Sequence, residues 1–285
     1  MRVLQQYDGP GANALKPVFP NDLGGLGTVI YNKRIGAALA LCFIVTLTAQ
    51  EAIAAQTGGP SIMALVLKWM PLVFKGFLMN LLVSVLSMAI GTASGVALGL
   101  GVISLLKPVR NASWIAVQFF RNAPWLVLVF YTIALLPYEI QVGSYIIPFP
   151  GWIKATIGLG LPVMANTAEI VRGGIQSIPL GQWESAESLA FSRFQILFSI
   201  ILPQCIKRMI PPWMNLFAIL FTASPLISLV GVNDSLMMTR SALMAEGLSE
   251  LLLPMYSALL IMFFLFCYPI AYYTVKLEQR YAVNI

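Results

Sequence analysis

Not one histidine occurs in the 285 residues. That absence excludes zincin motifs, histidine-based triads and most transition-metal sites. Charge is scarce as well: Asp, Glu, Lys and Arg make up 10% of the chain, against about a quarter in soluble domains. The three cysteines, Cys42, Cys205 and Cys267, lie in or beside apolar segments without metal-ligand spacing. They read as buried thiols, with no disulfide framework and no metal site. No G-x-x-x-x-G-K-[ST] loop is present, and no lysine follows a glycine, so the chain carries no phosphate-cradling loop of that kind. No carboxylate pair has a spacing useful for catalysis. The net charge of +6 is not gathered into a basic run with aromatics, so it does not read as a nucleic-acid surface.

What remains is oil. Hydrophobic residues make up 59% of the chain and the mean hydropathy is +0.83, which describes an integral membrane protein. A helix needs about 20 apolar residues to cross the hydrocarbon. Six segments qualify, at 35–55, 77–105, 120–136, 151–171, 210–232 and 254–275. Lys68, Pro71 and Lys75 interrupt the stretch before the second of these, which predicts an interfacial helix. Residues 1–33 read as a loose arm. The organisation expected is a flexible cytoplasmic N-terminal arm (1–33), an extra N-terminal transmembrane helix (34–56), an interfacial helix (57–75) and a core (76–285). Ala52-Ile53-Ala54 resembles a signal-peptidase site, yet some 34 mostly polar residues precede the first apolar run, so that run is expected to be retained. With both termini cytoplasmic, 13 Lys and Arg fall inside and 4 (Lys68, Lys75, Lys154 and Arg240) outside. That bias orients the chain and places the 172–208 loop in the cytoplasm.

The second candidate span carries Ser87, Gly91, Gly95 and Gly99 at i, i+4 spacing. Such a stripe lets another helix backbone approach closely, within this chain or from a second subunit. Pro162, Pro225 and Pro269 fall inside later spans, where a freed carbonyl either finds a partner or lines a water-filled path.

Between the fourth and fifth spans lies the longest inner loop, 172–208. Pro179 and Gly181 punctuate it, and Trp183, Ala186 and Leu189 then recur at helical spacing, predicting a short amphipathic helix. Ser192-Arg193-Phe194-Gln195 is a capping-box sequence that opens a second helix, and Pro203 is positioned to end it. Glu184-Ser185-Ala186, three residues, Ala190, nine residues and Ile200-Ile201-Leu202-Pro203 resemble the E-A-A loop of ATP-binding-cassette (ABC) importer permeases. The stretch from Glu169-Ile170-Val171-Arg172-Gly173-Gly174 to Trp183, with Arg121-Asn122-x-Pro124-x-Leu126-Val127 and Ser228-Leu229-Val230-Gly231-Val232, resembles the polar amino-acid subfamily, the histidine, glutamine and glutamate permeases. The likeness covers roughly residues 76–275.

The resemblance implies an all-α, polytopic membrane helix bundle of the type I importer permease kind, with about six transmembrane helices, in a bacterial inner membrane. It implies that Glu184, Ser185, Ala186, Glu187, Leu189, Ala190, Leu202 and Pro203 couple to a separate ATPase dimer carrying ATP and magnesium, with no cofactor in this chain. A second permease, identical or related, and a periplasmic substrate-binding protein are the other implied partners. Family members usually have glycine where Ala190 stands. Alanine resists the left-handed conformation, so a different backbone shape is expected at that bend. Relatives often read Lys-Asp-Thr-Ser-Leu where this chain has Thr222-Ala223-Ser224-Pro225-Leu226, which points to a heteromeric pore or to an unusual solute such as an opine or a compatible solute. Candidates for the solute path are Arg121, Asn122, Asn166, Thr167, Glu169, Ser224 and Pro225. Glu169, an acid within a span, either meets a solute ammonium group or pairs with Arg172 or Arg121. A gradient-driven secondary transporter is the alternative reading, although it gives the long loop no role.

Overall fold

The computed structural model describes residues 41, 43–52, 60–142 and 145–281. The predicted arm, parts of the 34–56 helix and Cys42 lie outside these residues. Residues 43–52 are helical, and Phe43 packs on the first core cluster described below.

The first long helix, α1, runs unbroken over Ile62–Val102. Its 41 residues span about 60 Å at 1.5 Å per residue. Separate elements over 57–75 and 77–105 do not occur. Pro71 removes one backbone donor, and the helix continues across it. Ile62, Leu65, Val66 and Val73 are buried with Leu251, Met255, Ala258 and Leu259, residues distant in sequence. Lys68 finds Glu246 at 2.6 Å, and the Trp69 indole donates to the same carboxylate at 2.8 Å. Those two bonds hold Glu246 below the usual carboxylate range.

Helix α2 covers Lys107–Asn122 and α3 covers Trp125–Leu135. The continuous span predicted at 120–136 is broken because Pro124 forces Ala123 into extended backbone (φ −73°, ψ 138°). An antiparallel hairpin follows, β1 (Glu139–Val142) and β2 (Tyr145–Pro148), in the register Ile140 opposite Ile147. Sequence periodicity did not anticipate it.

Helix α4, Gly151–Gln176, is the centre of the bundle. A Cβ placed on Gly91 of α1 would stand 2.5 Å from a Val163 methyl, one on Gly95 2.5 Å from the Met164 carbonyl, and one on Gly99 2.9 Å from the Ala168 carbonyl. Ser87 donates to the Thr156 carbonyl at 2.8 Å. Contacts advance together along both chains, so α1 and α4 run parallel, and the small-residue stripe is used within this chain. Lys154, counted above as an outer loop charge, is fully buried in the first turn of α4. Its ammonium donates to the Leu136 carbonyl at 2.9 Å and lies 3.4 Å over the Tyr138 ring. A carbonyl at a helix C-terminus and an aromatic face are both favourable for a cation.

Helix α5 covers Leu180–Ser188 and α6 Leu202–Ala223, continued by a 3-10 turn over Ser224–Val230. Helix α7 (Ser235–Glu246) leads to α8 (Leu252–Tyr281). The turn into α7 is fastened to α1 by a buried polar knot. Asn80 donates to Ser224 and Asp234, each at 3.1 Å, and accepts from the Ser235 backbone at 3.0 Å and its hydroxyl at 2.7 Å. Gly76, one turn earlier, leaves room for the Asp234 backbone. Beside the knot, Phe77, Phe221, Phe263 and Phe266 join α1, α6 and α8.

By length and composition, Ile62–Val102, Arg193–Val230 and Ser249–Arg280 can each cross a membrane. Helix α4 is long enough, but it carries Lys154, Glu169 and Arg172 and is shielded by its neighbours.

Candidate coupling elbow and solute cleft

The elbow is built from local rules. Helix α5 is anchored by one residue: Ala186 is buried with Val171, Ile175, Ile178, Ile196, Ile201 and Cys205, and Trp183 packs against them. Leu189, predicted on the same face, is instead 72% exposed. Glu184, Ser185 and Glu187 face outward. Ser185 and Ser188 turn their hydroxyls back to the Gly181 and Glu184 carbonyls.

At the bend, Ala190 has φ +62°. The left-handed shape is kept, contrary to the expectation that alanine would replace it. The Ala190 N–H donates to Glu187 at 2.9 Å and the Phe191 N–H to Ala186 at 3.3 Å. These two bonds make a Schellman cap, which requires the left-handed residue and satisfies two end carbonyls. Two residues on, Ser192 and Gln195 close the predicted capping box. Arg193 reaches Glu187 across the bend at 3.7 Å. Both are exposed, so this pair adds little.

Pro203 does not end the second helix. A π-helical stretch, Ile196–Ile201, precedes it, and Leu202 N–H bonds back to Leu197. The widened turn places Pro203 at the start of α6, where its missing N–H costs least. The second arm of the elbow is therefore continuous with a membrane-length helix. At its base, Arg208 Nη1 donates to the Ser177 carbonyl at 2.6 Å and its hydroxyl at 3.0 Å, and Cys205 Sγ donates to the Gly174 carbonyl at 3.2 Å. Both contacts tie α6 to the last turn of α4.

Above the elbow, α4 and α6 flank an open cleft of about 490 Å³ lined by Asn166, Glu169, Ser177, Arg208 and Asn215 among others. Glu169 Oε2 accepts from Arg172 Nη2 at 2.7 Å and Nε at 3.1 Å, and Arg121 Nη1 lies 3.4 Å away. Arg172 also donates to Gln176. Asn166 lines the cleft while its amide donates to the Pro162 carbonyl.

Arg121, Asn166 and Glu169 thus come together, and the other candidates do not. Thr167 is buried toward Gly95 of α1, and its hydroxyl has no partner among the described residues. Asn122 bonds its own helix at Gln118. Ser224 belongs to the Asn80 knot, and Pro225 sits in the first turn of the 3-10 segment. Arg208 and Asn215 were missed. Both belong to a helix whose start the sequence placed later, and their i, i+7 spacing was the available signal.

A family model described as the binding-protein-dependent transport system inner membrane component matches residues 31–283. The chain belongs to this family. Among relatives, it is 30% identical to the inner membrane amino-acid ABC transporter permease protein YhdY of Escherichia coli, over 72% of this chain and 55% of that protein. It is 34% identical to the probable amino-acid ABC transporter permease protein YckA of Bacillus subtilis, over 74% of this chain and 90% of that one. It thus spans about half the length of the first relative and nearly all of the second. A chain from the crystal structure of an amino acid ABC transporter with histidines shares the fold, with a TM-score of 0.65, 23% identity, and coverage of 75% of this chain and 96% of that one.

Proposed function

We propose that this family member is one half of the membrane pore of an ATP-driven importer for polar amino acids or related solutes such as opines and compatible solutes. The carrying observation is the elbow. Two caps, on either side of a left-handed Ala190, hold a short exposed helix rigidly at the end of a membrane-length helix. A rigid projection transmits a push from a neighbouring protein, and a floppy loop does not. Glu184, Ser185, Glu187, Leu189 and Ala190 form its outer face. Ala186 anchors it, and Leu202 and Pro203 join it to α6. The partners are a paired ABC ATPase that holds ATP and magnesium, a second permease and a periplasmic binding protein. In this reading the elbow and both termini lie in the cytoplasm, and the chain is not itself an enzyme.

The cleft is the solute path. Glu169 is already paired with Arg172 and Arg121, and Arg208 lines the cleft beside it, so the surplus positive charge suits a solute carboxylate better than an ammonium group. The test of the elbow is Glu184→Lys in the assembled transporter. Uptake and recovery of the ATPase with the permease should both fall at least tenfold, with an unchanged melting temperature for the permease alone. Normal uptake by that variant, or uptake driven by an ion gradient without ATP, rejects the reading.

A further inference from the structure

Helix α2 packs against the flank of α1 and α4 and crosses them rather than running along them. Ser113 meets Gly101 of α1, Val117 packs with Leu98, Val102 and Ala168, and Arg121 reaches Glu169. Gly99 and Ala168 face each other in the parallel α1–α4 pair, so all of these contacts fall at one level. Roughly 12 Å of helix separates Ser113 from Arg121, and over that length α2 gains almost no depth. Such a helix runs crosswise to α1, which is long enough to cross a membrane.

Its sequence has three faces. Ser113 and Val117 are buried against the bundle. Pro108, Ala112, Ile115 and Phe119 form an exposed apolar stripe, and Lys107, Arg110 and Arg121 share the third face with Asn111 and Gln118. No Asp or Glu occurs between Glu51 and Glu139. Lys107 and Arg110 form no ion pair among the described residues, and they stand in the first turn, where the helix dipole disfavours cations. Among the described residues, Lys107 and Arg110 have no counter-charge.

We propose that α2 is an in-plane anchor that binds anionic phospholipid headgroups through Lys107 and Arg110 while Ile115 and Phe119 sit among the acyl chains. Trp114, 54% exposed beside the cationic face, reports on it. The full-length permease is placed in nanodiscs of equal phosphatidylglycerol and phosphatidylcholine, with one or the other lipid brominated, and a Trp114→Phe variant supplies the blank. Brominated phosphatidylglycerol is expected to quench Trp114 severalfold more than brominated phosphatidylcholine. Each neutralised cation should cut that preference by up to about fivefold, so Lys107→Gln with Arg110→Gln brings the two lipids near parity. Equal quenching in the unaltered protein, no quenching by either lipid, or a preference unchanged in the double variant overturns the proposal.

Discussion

Ala190 is the only non-glycine residue with positive φ among the described residues. An alanine held left-handed costs about 1–2 kcal/mol, and the Schellman bonds from Ala190 and Phe191 offset it. Ala190→Gly relieves that strain and in return loosens the unfolded chain. The expected net gain is about 0.5–1 kcal/mol, read as a rise in melting temperature in detergent, with uptake retained. A fall in stability would mean that the bend is not left-handed. Thr167 makes a different case. Its hydroxyl is buried without a partner, so Thr167→Val removes an unsatisfied group and keeps the shape. Stability is expected to hold or to rise by about 1 kcal/mol, with unchanged solute affinity. Weaker uptake would return Thr167 to the solute path.

At the scale of elements, α1 and α4 approach as closely as two backbones can. Gly95 faces the Met164 carbonyl with no room for a methyl group. Gly95→Ala therefore forces the helices apart and is expected to cost about 1–3 kcal/mol. The gain in helix propensity is too small to compensate. Thermal unfolding of the purified permease checks the sign, and a stabilised variant would disprove the contact. This stripe was legible because four small residues at i, i+4 mark a face by themselves. The Ser192–Gln195 capping box was legible for the same reason, since both partners lie within one turn. The length of α1 was not. Lys68 and Pro71 read as interruptions, and what cancels them, Glu246 and the α8 apolar face, lies some 180 residues away. The π-helical turn ahead of Pro203 was equally hidden. It goes with the burial of Ile196, Ile201 and Cys205 against the end of α4, which no local pattern records. The interfacial helix expected at 57–75 runs into α1 from Ile62 onward, and α2 was not anticipated, because all but its last three residues lie between the predicted second and third spans.

For the whole molecule, the question is how a push on the elbow reaches the cleft. Arg208 stands at the joint, donating from α6 to the terminal carbonyl and hydroxyl of Ser177 while lining the cleft itself. Charge-assisted bonds of this kind are roughly twice as strong as neutral ones, so this contact fastens α6 to the end of α4. Glu169, two turns further up α4, pairs with Arg121 and so links this helix to α2, the route by which the proposed coupling would spread. Arg208→Gln keeps a donor but loses the charge and the planar fork. Elbow docking should survive, because Glu184 and Ala186 are untouched, whereas transmission should weaken. In the reconstituted transporter, ATP hydrolysis is expected to continue at about half its rate or better while uptake falls about tenfold, so more ATP is consumed per solute moved. If both rates fall together, Arg208 acts on docking rather than transmission. If neither changes, the joint between α6 and α4 is held by packing around Cys205 and Ile201 alone.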